Sequence, residues 1–376
     1  MACLASVLPR DADVVPLHEP NLTELEQRYV HDCVASGWVS SVGKYVDRLE
    51  REIADYTGSR FAIATVNGTS ALHVALLLAG VRAGDEVLCP ALSFVATANA
   101  IRYCGACPHF VDSEHRTLGV DAVKLRDHLE TATQMEDGSC VNRLTGRRIA
   151  ALVPMHTLGH AADLGGLQEV CDAFGLPMVE DAAESLGTYL GNQHTGTFGL
   201  ASAISFNGNK IMTTGGGGMI LTQDERLAKR AKHLTTTAKR PHRWEFVHDE
   251  VGYNYRMPNL NAALGCAQLE RLDEFLRRKR GLAERYAHAF SQCSGAHWVQ
   301  EWEGESANHW VNAIRVPDHR DAVLQRSHEA GWQARPLWNC LHSLSIFADC
   351  PRMDLTVSEC LVETTVCLPS SVKLGP

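Results

Sequence analysis

The sequence predicts an α/β fold: a large domain built on a mostly parallel sheet, followed by a smaller C-terminal α/β domain. Three observations carry this reading. Strand-like apolar runs alternate with helical periodicities from residue 61 to residue 181, the pattern of parallel strands joined by crossover helices. Two more apolar runs, 201–206 and 218–222, bracket a short polar loop that ends in four glycines, Gly215 to Gly218. The length of 376 residues leaves room for two domains and a large core.

The elements follow in order. Asn21 with Glu24 three residues on resembles a capping box, opening a helix that ends near Gly37. A second helix over 46–57 carries Val46, Leu49, Ile53, Ala54 and Tyr56 at close to a 3.6-residue period and stops at Gly58. Strands are predicted over 61–66, 86–89, 109–112, 149–155 and 178–181, with helices over 70–79, 94–104 and 164–174 between them. The polar segment 134–148, with Gly138, Ser139 and Gly146, reads as a surface excursion. One long amphipathic helix over 260–290 leads out of the large domain. The expected division is therefore 1–259, N-terminal segment included, and 260–376, the latter with strand-like 309–316 and 333–336.

Composition excludes several function classes. Hydrophobic content of 45% and charge of 21% are those of an ordinary globular protein. The 35 basic and 44 acidic residues give a net charge of −9, which argues against broad binding to nucleic acid or to an anionic membrane. Apolar runs such as 71–79, which contains His73, are too short to span a bilayer. Residues 1–9 are mildly apolar, but Arg10, Asp11 and Asp13 follow and no signal-peptide pattern develops. The 13 cysteines form no framework, which suggests reduced thiols and a cytoplasmic protein. Cys104-Gly-Ala-Cys107 has no second such pair. His156 and His160 are separated by Gly159, and no Glu follows His156, so a loop after a strand is expected there rather than a metal-binding helix.

The chemistry concentrates around Lys210, in Ser205-Phe-Asn-Gly-Asn-Lys210. A lysine is most often plain surface charge. Here two core strands would hold it at the rim of a rigid sheet, where a lysine amine with restricted solvation loses its proton readily and can form a Schiff base. The cofactor that needs such a lysine is pyridoxal phosphate. Asn67-Gly68-Thr69-Ser70 follows a strand and opens a helix, a setting that suits a phosphate, although for the tetrapeptide alone a simple N-cap is the favoured explanation. Asp181 falls at the C-terminal end of a strand, where ligands bind in parallel sheets. A carboxylate there can pair with a pyridinium nitrogen; it can also cap the turn at 182–185. Phe94, after the strand at Leu88, is placed either to stack on a ring or to fill the core.

The linear order of these groups is the one expected of a fold-type I (aspartate aminotransferase-like) pyridoxal phosphate enzyme. The chain resembles the DegT/DnrJ/EryC1/StrS family of sugar aminotransferases from about residue 15 to Leu368-Pro-Ser-Ser371. The resemblance rests on Gly37-Trp-Val-Ser-Ser41, Asn67-Gly-Thr-Ser-Ala-Leu72, Ala96-Thr-Ala-Asn-Ala-Ile101, Glu180-Asp-Ala-Ala183, Ser205-Phe206, Lys210 with its glycine run, and Gly252-Tyr-Asn-Tyr-Arg-Met-Pro258. It implies that Lys210 carries the cofactor and later moves the proton, while Asp181 holds the ring nitrogen and Phe94 stacks on the ring. Gly68, Thr69, Ser70 and Ser205 would bind the phosphate. Asn254 would reach the phosphate of a neighbouring subunit, which implies a homodimer with shared sites. Glu184 stands where the family usually has Gln or His near the ring hydroxyl. Leu158 replaces a frequent aromatic and Ala161 a frequent Pro, and the chain stops at Pro376 where many members continue into another helix.

Within the family, the runs 207–218, 235–239 and 248–255 are most similar to LegC-type enzymes of legionaminic acid biosynthesis. That similarity implies UDP-2-acetamido-2,6-dideoxy-4-keto-hexose as acceptor and L-glutamate as donor, in a ping-pong reaction that releases 2-oxoglutarate. Lys239, Arg240, His242 and His342 are candidate nucleotide contacts, each of which also reads as plain surface. The alternatives are a GDP-4-keto-6-deoxymannose 4-aminotransferase of the perosamine type, a sugar dehydratase of the same fold, and a non-catalytic pyridoxal phosphate-binding regulator. Related dehydratases carry histidine in place of the lysine, so Lys210 argues against the second. The acidic chain leaves no room for a DNA-binding domain, which argues against the third.

Overall fold

The computed structural model describes residues 1–9 and 14–376. Two helices lead in, α1 (Glu24–Ser36) and α2 (Lys44–Thr57). The cap of α1 lies two residues later than Asn21: Thr23 accepts from the helix while Glu26 Oε2 accepts from Thr23 N at 2.6 Å, a full capping box. The central sheet contains β1 (Phe61–Thr65), β2 (Glu86–Pro90), β3 (Cys107–Val111), β4 (Ile149–Leu152), β5 (Val179–Asp181), β6 (Ala201–Ser205) and β7 (Gly218–Thr222).

The spatial order is β1-β7-β6-β5 in one half and β4-β2-β3 in the other. Parallel bridges Leu152–Met178 and Met155–Asp181 join the halves. Strand β7 runs antiparallel to both β1 and β6, and the remaining pairs are parallel. Because β6 and β7 are antiparallel, a loop joins them directly at one edge of the sheet, closed by Phe206 N to Gly217 O (2.9 Å) and Thr214 N to Phe206 O (3.0 Å). That loop carries Lys210 to the C-terminal edge of the sheet, where β5 also ends.

Helices cover both faces. On one, α3 (Gly68–Leu78) and α4 (Val95–Tyr103) bury Leu72, Ala75 and Ile101 with Ile63 and Ile220. On the other, Leu49 and Ile53 of α2 meet Ile204, Met219 and Leu221. The helices Ala122–Ala132 and Leu164–Phe174 cover the β2–β4 half through Leu125, Leu167 and Val170. The 134–148 segment is no simple excursion. It forms a hairpin, Thr133–Glu136 with Ser139–Asn142, and Asn142 and Thr145 reach back to the buried Glu86 at 2.8 and 2.6 Å.

The single helix expected over 260–290 is two, Asn259–Leu269 and Leu272–Phe290. Arg271 leaves the helical region (φ −108°, ψ 1°), and its guanidinium is bound to Asn21 Oδ1 (2.6 Å) and Glu26 Oε1 (3.2 Å). The second of these helices packs under an antiparallel sheet of order His297–Trp298, Asn312–Arg315, Thr365–Leu368, Arg335–Pro336. Leu4, Val7 and Leu8 complete that core against Leu282, Tyr286 and Val366. The first residues therefore join the C-terminal sheet in space, not the large sheet with which sequence order groups them.

Candidate active site

Three chain segments end at one cavity of about 370 Å³ at the C-terminal edge of the central sheet. The first is the turn into α3. Asn67 Oδ1 accepts from Ser70 N at 2.7 Å, which caps the helix, and Gly68 and Thr69 line the wall. Gly68 lies so close to β6 that a Cβ there would come within 2.8 Å of Ser205 Cβ. The helix end is thus bare backbone toward the cavity, with Ser205 beside it, and its amides are available to an anion.

The second segment is the end of β5. Asp181, 5% exposed, accepts from Thr97 Oγ1 at 2.7 Å and from Ala183 N at 3.2 Å. Burial pushes its carboxyl above the ordinary range, and the bonds from Thr97 and Ala183 oppose that rise only in part. A buried carboxylate with this much unrelieved cost suits a cationic ring nitrogen.

The third segment is the β6–β7 loop. Lys210 Nζ donates to Glu184 Oε1 at 3.0 Å and lies 4.0 Å from the centre of the Trp310 ring. Glu184 Oε2 accepts from Leu158 N at 2.9 Å. Leu158 takes φ 60° to aim that amide, a left-handed conformation that costs a non-glycine residue about 1–2 kcal/mol. Burial raises the Glu184 carboxyl, while the charge of Lys210 draws it back. Phe94, 49% exposed, stands on the cavity wall with its ring edge-on to Trp338 at 6.3 Å.

Of the residues predicted from sequence, Gly68, Thr69, Phe94, Asp181, Glu184, Ser205 and Lys210 line this cavity together. Ser70 does not; its amide is the one Asn67 caps, and the residue is buried behind the wall. Asn254 is exposed, bridged to Thr236, and does not line the cavity of its own chain. Lys239 and Arg240 lie in an exposed two-residue strand, Lys239 over the Phe246 ring and Arg240 paired with Asp249 at 3.3 Å. His242 sits 3.8 Å from Glu245, and His342 donates or accepts with Glu359 at 3.0 Å. None of these four lines the cavity of its own chain. His156 and His160 are engaged by Glu180 (3.1 Å) and Glu305 (3.2 Å).

Sequence reasoning missed Thr97, Trp310 and Trp338. Thr97 had a signal, since Ser93 and Thr97 are one helical turn apart at a strand mouth and bond each other at 2.7 Å. The two tryptophans reach the cavity from the C-terminal part of the chain and left no local signal.

A lysine paired with a glutamate, a buried aspartate, a helix N-terminus and an aromatic wall meet at one cavity at the strand ends of this sheet, an arrangement that can hold pyridoxal phosphate. The chain belongs to the DegT/DnrJ/EryC1/StrS aminotransferase family, whose family model matches residues 20–376. The chain is similar to the GDP-perosamine synthase of Vibrio cholerae, 36% identical over 344 residues, covering 89% of this chain and 87% of that protein. With the GDP-perosamine synthase of Caulobacter vibrioides the identity is 35% over 360 residues, covering 94% and 91%. The crystal structure of the aminotransferase TlmJ from Streptoalloteichus hindustanus superposes with a TM-score of 0.85 at 30% identity, over 95% of this chain and 93% of that one. The protein is thus a sugar aminotransferase of this family, and its cofactor is pyridoxal phosphate.

Proposed function

We propose that the protein aminates C4 of a nucleotide-linked 4-keto-6-deoxy sugar, UDP-2-acetamido-2,6-dideoxy-4-keto-hexose, with L-glutamate as donor, in surface-glycan or nonulosonic acid sugar biosynthesis in the cytoplasm. The observation that carries the chemistry is the convergence of Lys210, Glu184 and Asp181 on one cavity. Bound pyridoxal phosphate supplies an electron sink that makes the proton on an amino-bearing carbon removable. Lys210 holds the cofactor, and its amine, once released, takes that proton and returns it. Asp181 keeps the ring nitrogen protonated, Phe94 covers the ring, and the Gly68 and Thr69 amides with Ser205 hold the phosphate. Glu184 receives the Lys210 ammonium when the lysine is free, the pairing present at 3.0 Å. We assign the same site to a homodimer in which Asn254, exposed on its own chain, completes the neighbour's phosphate pocket.

A second reading, with a GDP-linked 4-keto-6-deoxymannose, is favoured by one observation: the relatives named above are GDP-perosamine synthases. One experiment separates the two. The absorbance of the purified protein is followed on adding L-glutamate, then UDP- and GDP-linked 4-keto-6-deoxy sugars in turn. A visible band bleached by glutamate and restored by the UDP sugar supports the first reading; restoration by the GDP sugar alone replaces it with the second. A protein that binds no pyridoxal phosphate overturns both.

A further inference from the structure

A second compartment of about 440 Å³ adjoins the reaction cavity and shares Asn209, Trp310 and Trp338 with it. Its other walls are mostly apolar, and two polar side chains stand out in it, His18 and Arg335. Both ring nitrogens of His18 are buried without a hydrogen-bond partner among the described residues. A buried polar atom left unpaired carries the full desolvation cost of that atom. The Asn209 carbonyl lies by the ring and favours its protonated form, and it also accepts from Trp310 Nε1 at 2.6 Å. The backbone on either side of His18 is held: Ser370 N donates to Leu17 O at 2.6 Å and Glu19 N to Ser371 Oγ at 3.2 Å.

Arg335 is the one charged side chain among the described residues that line the compartment, and Glu184, paired with Lys210 at 3.0 Å, is the nearest acid named in the neighbouring cavity. No carboxylate lines the compartment among the described residues. Burial, then Lys279, then Lys210 push the His18 imidazole well below its usual range. Lys279 is fully buried, burial pushes its amine well below the usual lysine range, and its Nζ donates to the carbonyls of Trp310 (3.0 Å) and Ser370. Arg335 adds a guanidinium from the edge of the C-terminal sheet. An imidazole with a free N–H and a guanidinium, with no acid among the described residues that line the space, call for an anion.

We infer that this compartment is an oxyanion subsite of the reaction cavity, in which His18 and Arg335 receive a carboxylate of the amino donor or a phosphate oxygen of the nucleotide. The inference rests on the aminotransferase reading above for the identity of the substrates, and it adds the residues that select them. Occupation by the anion satisfies His18 and offsets the local positive charge. Trp310 and Trp338, which wall both spaces, then couple occupation of the subsite to the surroundings of Lys210.

The test is calorimetric titration of 2-oxoglutarate, UDP and GDP, separately, into the holoenzyme and into its Arg335→Gln and His18→Gln variants. Arg335 is exposed, so its replacement leaves folding intact even if the His18 variant is unstable. Affinity for 2-oxoglutarate falling about ten- to a hundredfold, the range expected for lost charge-assisted hydrogen bonds, assigns the subsite to the donor carboxylate. A fall of that size for UDP or GDP assigns it to the nucleotide. In the donor case the KM for glutamate in the first half-reaction rises while kcat holds. Unchanged affinities for all three anions in Arg335→Gln, or no binding of any of them by the unaltered protein, overturns the subsite. If 2-oxoglutarate binds through Arg335 but glutamate fails to bleach the holoenzyme, the proposed reaction falls and the subsite stands.

Discussion

Lys210 and Glu184 face each other across the reaction cavity at 3.0 Å, the lysine side chain 12% exposed and the glutamate 1%. The pair belongs to two different loops, one after β5 and one between β6 and β7, so it forms only when the sheet has brought their strand ends together. It also pins Leu158 through the second carboxylate oxygen.

Lys210→Ala removes the group proposed to hold the cofactor and move the proton. Its amine makes one side-chain hydrogen bond, so the fold survives. The expected loss is ~10²–10⁴-fold or more in the glutamate half-reaction, with the circular dichroism spectrum unchanged. Stopped-flow bleaching by glutamate measures the first, and wild-type rates in the variant would remove the role assigned to Lys210.

Asp181→Asn tests a cost rather than a contact. The folded carboxyl titrates above its unfolded value because of burial, so the unfolded state ionises first. Stability from this group is full at low pH and declines as pH rises through the folded value. Cofactor-free Asp181→Asn protein is therefore expected to lose less stability than the unaltered protein between about pH 4 and pH 7, while binding pyridoxal phosphate more weakly. Thermal melts across that range, with and without cofactor, check both halves; identical pH dependence in the two proteins contradicts the argument.

Two glycines of one loop are predicted to differ. A Cβ at Gly218 would fall 2.5 Å from the Asn67 carbonyl, whereas one at Gly216 meets nothing within 4 Å. Gly218→Ala pushes the phosphate turn off the end of β7, at a cost of about 1–3 kcal/mol, and raises the cofactor dissociation constant. Gly216→Ala stays within about 0.5 kcal/mol of the parent. Urea denaturation and cofactor titration of the two variants give the comparison.

Arg256 Nη1 bonds Glu50 Oε1 at 2.8 Å and Ala64 O at 3.0 Å, tying α2 to β1. Burial alone would raise the Glu50 carboxyl; the charges of Arg256 and Lys232 reverse that and hold it below the ordinary range. The stability it contributes is present above the unfolded value near pH 4.3 and lost as pH falls through the folded one. Arg256→Ala is expected to cost about 2–3 kcal/mol, somewhat under the ~3–5 for a fully buried broken pair, because Lys232 stays at 2.8 Å. The variant also loses less stability on acidification, which melts at pH 7 and pH 4 measure.

What the sequence revealed was local, and what it hid was tertiary. Lys210, Asp181 and Gly68 were legible because each sits beside an apolar run at a strand end, and the sheet then delivers all three to one edge. Thr97 lay within a recognised stretch, but its bond to Asp181 depends on which face of α4 meets β5. Trp310 and Trp338 come from the far side of the C-terminal sheet, with no periodicity to mark them. The break at Arg271 was invisible because the apolar spacing runs on through it; only the distant Asn21 and Glu26 explain it. His18 gave no signal at all, since an imidazole left without partners is a property of the folded surroundings.

The burial of Leu4, Val7 and Leu8 beneath the C-terminal sheet sets an order of events during synthesis. These residues leave the ribosome well before the strand that covers them, Thr365–Leu368, which emerges hundreds of residues later. At ~5–20 residues per second the wait is on the order of twenty seconds or more. For most of that interval Leu4, Val7 and Leu8 lack even Leu282 and Tyr286, so they are the natural hold for a chaperone on the growing chain. A substitution that adds bulk at Leu4 acts at this same closing step.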